Sequence, residues 1–580
     1  MTLRAWWKDA PRARVPRAPA RFRAEVLAEP GRAGVVAAAA CAVLLSLAVL
    51  VTDPPYGTGD EPAHVDYAWQ VWHGGLPVFE EGLAFRPAGA ELPPVQWTAQ
   101  HPPLYYLLVS WLVGPLADAG HPVAAVYAAR VVNVLLAGAF VLVARWSAGR
   151  VCRPGSPLPQ LAAMVAGTAA AVAHVGGAAF NDLVAALCVT TMFGAGATAI
   201  RRGLDLPLVA GLSLLMGAGA LSRLSAAMTG AVIVAFVVAA AAVRAARGRG
   251  RWAPVVALAV GGPTTALAAA GWFYARNLAL TGNLQGSHFD WAMANQLQRV
   301  ARPVWQVVLD PVTWARLPDF FWWAGRVAPT SSYAATTLAV TSVLLLWIPL
   351  VLGLVPGAAR VLRASGGLGR RLRRGGGAFT TGRASGKGGH GDRGLAGSGH
   401  GVGASAAGAH GVGASAAGAH GVGASAGGGA RATAGASLPG AGRWVRAMLW
   451  TTLLVAVSVQ VVYGANGGSL FPRYLLPVAL PVFLGVAAGL ARRPRLLVPL
   501  WGAVATANFV SFLVAELATP AKPGLYAEPT ALAVAVGVLA VCGSVAATLA
   551  ARRALSADPG RGAPGLARPA VPAGAGAGPA

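Results

Sequence analysis

The segment Asp60-Glu61-Pro62-Ala63-His64 sets two adjacent carboxylates and an imidazole directly after an apolar run. That run, residues 34–51, is long enough to cross a bilayer, and Thr52-Asp53-Pro54-Pro55 stops it. Asp at an N-cap with Pro in the first turn predicts a short helix from Asp60, and Gly74-Gly75 predicts its end. Asp60 and His64 then lie one turn apart on one face. That spacing suits a general-base pair or a divalent metal ion held by Asp60 and His64. The plainer alternative is that Asp60 only caps the helix. Acids just outside a span are placed for chemistry at the membrane surface.

Other reactive groups occur at the ends of apolar runs. His101-Pro102-Pro103-Leu104-Tyr105-Tyr106 has a backbone fixed by two prolines, and His101 suits phosphate, a metal or a headgroup-level position. Asn181-Asp182 sits at a turn between two apolar runs, where a charge is costly unless it faces a polar cavity. Ser222-Arg223-Leu224-Ser225 places an arginine where a lipid phosphate would be anchored. Tyr274-Ala275-Arg276-Asn277 and Phe471-Pro472-Arg473-Tyr474 add two further arginines. Three arginines and several acids facing one compartment predict a site for an anionic, lipid-linked substrate.

The elements that position these groups are membrane helices. The chain has 580 residues, 56% hydrophobic and only 11% charged, against about 25% charged in soluble domains. Apolar windows of about 18 residues or more make it an all-α, polytopic membrane protein. The formal charge of +26 does not point to nucleic acid, because the basic residues form short runs between spans, which is a topology signal. The four cysteines, Cys41, Cys152, Cys188 and Cys542, suggest no disulfide framework. The N-terminus lacks the features of a cleavable signal peptide.

Spans are predicted near 34–51, 123–144, 160–178, 183–200, 206–221, 226–243, 253–272, 334–355, 447–463, 474–490, 496–515 and 530–550, about twelve in all. Residues 102–117 are apolar but short, and read as an interfacial hairpin. If they crossed, Arg145, Arg150 and Arg153 would be delivered outside, against the positive-inside rule. This choice puts both termini in the cytoplasm and gives two large outer loops, 52–122 and 273–333, carrying short interfacial helices. Trp69, Trp72, Trp97 and Trp111 in the first, and Trp305, Trp314, Trp322 and Trp323 in the second, read as an interfacial aromatic belt. A sharper reading is a surface for a lipid carrier or a sugar ring.

The predicted organisation is a basic cytoplasmic tail (1–33), an N-terminal membrane domain (34–356), a Gly/Ala/Ser/His-rich cytoplasmic insert (357–444), a C-terminal four-helix membrane part (445–553) and a tail (554–580). The insert repeats a ten-residue unit from His400, His410 and His420, and its composition predicts disorder, as in the C-terminal tail.

An acidic pair after the first span, an HPPLYY-type interfacial segment, an Asp at the next outer turn, an Arg at the following one and a late Arg together resemble the GT-C superfamily. These are integral membrane glycosyltransferases that use polyprenyl-phosphate sugars, among them protein O-mannosyltransferases and the lipid A aminoarabinose transferase. The Asp60-to-His64, Tyr274-to-Asn277 and Arg473-to-Pro477 segments look closest to a family of actinobacterial membrane proteins of unassigned function. The resemblance covers roughly 34–356 and 447–550. It implies transfer of a sugar from a polyprenyl-phosphate donor to a cell-envelope glycan, glycolipid or protein acceptor on the outer face. It implies Asp60 as catalytic base or metal ligand, with Glu61 beside it. Asp182 would be a second outer carboxylate, and Arg223, with Arg276 and Arg473, would bind phosphate. His64, His101, Asn277 and Tyr474 complete the expected substrate-binding set. No sizeable outer domain follows the last span, which favours glycan or glycolipid acceptors over protein.

Two other classes compete. A transporter or flippase of a lipid-linked precursor would carry polar or broken helices near the midplane, whereas the charges here gather at span ends. A non-catalytic assembly factor would tolerate loss of Asp60.

Overall fold

The computed structural model describes residues 31–57, 59–88, 90, 92–295, 299–311, 314, 317–323, 340, 342–345, 440–468, 470–518 and 530–556. The tail predicted over 1–33, the predicted span 334–355, most of the insert 357–444 and the tail 554–580 fall outside those residues in large part. The described residues are helical, with no strand among them. Among the described residues, nine helices are long and apolar enough to cross a membrane.

The first helix, Arg32–Thr52, stops where the sequence places its stop, at Asp53 before two prolines. It packs against Pro122–Val151, against Thr530–Ser556 and against a bent pair, Leu158–Gly167 and Ala170–Gly177. The late helices join the early ones in one unit: Thr530–Ser556 packs on the first helix and on Pro494–Ala518, Ala479–Leu490 on Leu158–Gly167, and Ala441–Ala465 on Leu224–Ala246. The contact of the first helix with the bent pair is close because it is built from small residues. A Cβ at Gly167 would overlap the Ala38 carbonyl, and one at Gly177 would overlap Val49 and Ser46. Without a hydrophobic driving force between helices in lipid, such backbone approach supplies the packing. The bend between the paired helices is 48°, so the predicted span 160–178 is broken rather than straight.

Two predicted apolar segments form helices of 15 residues, Leu104–Asp118 and Leu206–Ala220. At 1.5 Å per residue such a helix is about 22 Å long, short of a hydrocarbon core of about 30 Å. Both ends of Leu104–Asp118 are tied to neighbouring segments. The Leu104 amide donates to the Leu221 carbonyl at 3.1 Å. At its other end the Asp118 carboxylate accepts from the indoles of Trp69 at 2.8 Å and Trp72 at 3.0 Å. Tyr105, Tyr106, Val109 and Val113 face inward, while Leu108 and Trp111 are exposed. The segment read as an interfacial hairpin over 102–117 is one continuous helix. With Cys152 and Cys542 replaced by Ser, Gly120→Cys should react with an impermeant maleimide added outside intact cells, and Arg145→Cys should not. Outside labelling at 145 would reverse the topology.

The tryptophans divide. Trp111 and Trp305 are exposed, as an interfacial belt requires. Trp322 and Trp323 are buried, against Trp501 at 4.6 Å and Phe512 at 4.2 Å between ring centroids. Neither can stack on a sugar; they are the core of the contact between the second large loop and the late helices.

Candidate functional site

Asp60 occupies the N-cap position of the helix Glu61–Trp72, but its side chain makes no capping bond. It pairs instead with the Arg473 guanidinium. Arg473 opens the 3-10 turn Pro472–Val478 that leads into the helix Ala479–Leu490. A second pair, Asp182 with Arg223, joins the first turn of the helix Asp182–Arg202 to the residue before Leu224–Ala246. Arg223 also donates to Asn181 Oδ1 at 3.2 Å. The pairs meet at Tyr474, whose ring centroid lies 5.3 Å from Arg223 Cζ and 5.7 Å from Arg473 Cζ. Asp60, Asp182, Arg223, Arg473 and Tyr474 therefore form one cluster at the end of the bundle bearing the large loops.

A cavity of about 120 Å³ lies beside this cluster, lined by His101, Asp182, Arg223, Gln460, Tyr463 and Tyr474 among others. On its wall Gln460 Oε1 is buried without a hydrogen-bond partner, and in the adjoining cluster so are Arg473 Nε and Asn181 Nδ2. Buried donors are rarely left unsatisfied. Two guanidiniums, one with its Nε–H free, and a free amide N–H of Asn181 mark a place for an anion. The cavity is well below the roughly 300–1,000 Å³ of a typical ligand pocket, so it matches a phosphate-sized group and must open to take a sugar. Gln285 on its wall belongs to a turn bounded by Gly282 and Gly286, both with φ near +70°.

His64 faces the same region. Its Nδ1 lies 2.9 Å from the Tyr106 hydroxyl, and its ring stacks with His101 at 6.3 Å. Burial pushes the His64 imidazole down to about 3, with Asp60 opposing and Arg473 and Arg223 adding to the fall. Burial, with Arg223 the next cause, likewise holds His101 well below its ordinary 6.5. For Asp60, burial alone would raise the carboxyl, but Arg473 and, more weakly, His64 and Arg223 hold it below its ordinary 3.8. At neutral pH the site thus contains a carboxylate anion and two neutral imidazoles.

These shifts give a pH prediction. Between about pH 6.5 and pH 3 the unfolded chain protonates His64 while the folded chain does not. The unfolded state then binds more protons, so this contribution is complete above about pH 6.5 and is lost as pH falls below it. The purified protein should melt at a lower temperature at pH 5 than at pH 7.5, and His64→Gln should reduce that difference. An equal difference in the variant would contradict the assignment.

Glu61 is corrected by the structure. It is fully buried, away from the cavity, and paired with Arg130. All five N–H groups of Arg130 are used. Nε and Nη2 meet Glu61 at 2.8 and 2.5 Å. Nη1 meets the carbonyls of Leu50 at 3.0 Å and Asp53 at 2.6 Å, and Nη2 that of Pro54 at 2.8 Å. Glu61 also accepts from the amides of Tyr56 at 3.1 Å and Ala179 at 2.9 Å. Glu61 has no capacity left for a substrate; it positions Asp60 by locking the first loop to the helix Pro122–Val151. Arg276 and Asn277, expected in the second large loop, lie in the helix Trp272–Thr281 and do not line the cavity. Arg276 donates to the Pro77 carbonyl at 2.7 Å and Asn277 to that of Gln100 at 3.2 Å, so they tie this helix to the first large loop.

The metal reading does not fit these residues. The Asp60 carboxylate holds a guanidinium and His64 Nδ1 meets Tyr106. Among the described residues no group of three or more His, Cys, Asp or Glu could hold an ion. The reasoning from sequence also missed Arg130, Gln460 and Tyr463. Arg130 carried a signal, since an arginine at the outer end of an apolar run is expensive without a buried partner. Gln460 and Tyr463 carried none.

No protein-family model matches the chain, and no curated protein does. Among solved structures, it is similar to the oligosaccharyltransferase of Archaeoglobus fulgidus in the apo form, at 13% identity and a TM-score of 0.37, over 89% of this chain and 56% of that one. The same enzyme, tethered through a disulfide bond to an acceptor peptide containing the NVT sequon, aligns at 12% identity and a TM-score of 0.36, over 89% and 55% of the two chains. The chain spans about half the length of that enzyme.

Proposed function

We propose that this protein is a membrane glycosyltransferase of GT-C type that moves a sugar from a polyprenyl-phosphate donor to a cell-envelope glycan or glycolipid. The observation that carries this reading is the pairing of Asp60 with Arg473 and Asp182 with Arg223 around one ring, beside unsatisfied donors. Without substrate, each arginine is neutralised by a carboxylate. A phosphate brought in by the donor competes for both guanidiniums, and its capture by Arg473 releases Asp60. Charged, desolvated hydrogen bonds of this kind are strong and bidentate.

In the reaction, the acceptor hydroxyl attacks the anomeric carbon from the face opposite the phosphate. The new glycosidic C–O bond forms as the bond from the anomeric carbon to the phosphate oxygen breaks. The hydroxyl proton goes to Asp60, and polyprenyl phosphate leaves with its negative charge held by Arg223 and Arg473. Tyr474 keeps the two guanidiniums near one another.

The break between Leu158–Gly167 and Ala170–Gly177 favours a second reading, because transporters bind at broken helices. One experiment separates the two. Deleting the gene and comparing envelope glycans and glycolipids by mass spectrometry should reveal a species one sugar short, restored by the wild-type gene and not by Asp60→Asn. Accumulation of intact lipid-linked precursor, with no truncated product, would favour transport.

A further inference from the structure

A second and larger cavity, of about 870 Å³, lies at the other end of the same helices. Asp182 opens the helix Asp182–Arg202 in the cluster described above, and Arg201, next to its last residue, lines this cavity. At 1.5 Å per residue the two positions are about 28 Å apart, roughly one hydrocarbon thickness. The cavity therefore belongs to the opposite membrane surface and is separate from the Asp60 cluster.

Its chemistry is amphipathic. Val445, Leu449 and Leu484 form an apolar wall, Trp450 stands half-exposed beside them, and Arg153, Arg201 and Arg446 supply positive charge. No carboxylate lines it, and among the described residues none pairs with these three arginines. Arg201 Nη2 donates to the Val151 carbonyl, while its Nε is buried without a partner. Arg153 and Arg446 are exposed. Unneutralised guanidiniums beside an apolar wall and a half-exposed indole match a phosphate joined to an acyl chain.

We propose that this cavity holds the phosphate headgroup of an anionic glycerolipid, with an acyl chain against Leu449, Trp450 and Leu484. Arg201 sits on the helix that carries Asp182 at its other end, so the lipid would secure the far end of a helix that builds the Asp60 cluster.

The test is native mass spectrometry of the full-length, delipidated protein titrated with dioleoylphosphatidylglycerol, with dioleoylphosphatidylcholine and with inorganic phosphate. One phosphatidylglycerol should be retained, with phosphatidylcholine about tenfold weaker or more. Inorganic phosphate should not displace the lipid. Arg153→Gln/Arg446→Gln changes only exposed side chains and should weaken retention by about tenfold without lowering the melting temperature. Trp450→Ala should weaken both lipids. Unchanged retention in the double variant would overturn the proposal, as would equal binding of phosphatidylcholine, which needs only an apolar groove. Displacement by inorganic phosphate would assign the cavity to a free anion. Binding seen only after residues 376–436 are deleted would assign it to the chain's own segment.

Discussion

Asp60→Asn should leave the protein folded and lower sugar transfer by about two orders of magnitude or more, the scale for losing a general base. The substitution keeps the shape of the side chain and removes its charge. Arg473 keeps its contacts with the rings of Phe180, Phe471 and Tyr474, at 4.3, 5.0 and 5.7 Å. It loses the carboxylate that competes with donor phosphate. The variant should therefore bind donor at least as tightly as the wild type while turning it over slowly, which lowers kcat and does not raise the donor KM. Arg223→Ala should do the reverse and raise the donor KM first, because it removes a phosphate ligand. A kinetic comparison on one donor separates the two roles. If Asp60→Asn raised KM and left kcat unchanged, Asp60 would be a binding group and the proton would go elsewhere.

Breaking the Glu61–Arg130 pair should act on stability rather than on the chemistry. Removing one partner of a buried ion pair costs about 3–5 kcal/mol, since the other charge is left desolvated and alone. Both side chains are fully buried. Glu61→Gln and Arg130→Leu should each reduce the yield of folded protein sharply, with a matching fall in melting temperature. The double apolar variant Glu61→Leu/Arg130→Leu should recover only part of the loss. Apolar replacement removes the stranded charge, but Arg130 also satisfies the carbonyls of Leu50, Asp53 and Pro54. Normal yield and melting temperature in both single variants would contradict this account of Glu61.

Glu61 shows where sequence stops being informative. Asp60 and Glu61 are adjacent carboxylates at one helix start, and no local rule assigns them different roles. Their roles diverge because successive side chains leave a helix about 100° apart, so one meets Arg473 and the other Arg130. Arg473 is 413 residues from Asp60, and no spacing within a segment encodes that contact. The membrane helices were legible because an apolar run of span length admits few other structures. The shortness of Leu104–Asp118 was legible for the same reason. The kink between Gly167 and Ala170 was not, since its residues are as apolar as those of a straight span. Trp322 and Trp323 misled as belt residues because an indole suits both an interface and a core, and only the packing against Trp501 and Phe512 decides between them.

In the proposed reaction one cluster at the loop end of the bundle binds a lipid-linked phosphosugar and cleaves it. The most direct test is release of polyprenyl phosphate from a radiolabelled polyprenyl-phosphate sugar by the purified full-length protein in lipid nanodiscs, with an envelope glycolipid extract as acceptor. Release should be coupled to labelling of the acceptor. Both should fall together in Asp60→Asn, and in Arg223→Ala should be recovered only by raising the donor concentration. Release at wild-type rates in both variants, or intact donor moved across the membrane without cleavage in proteoliposomes, would contradict it.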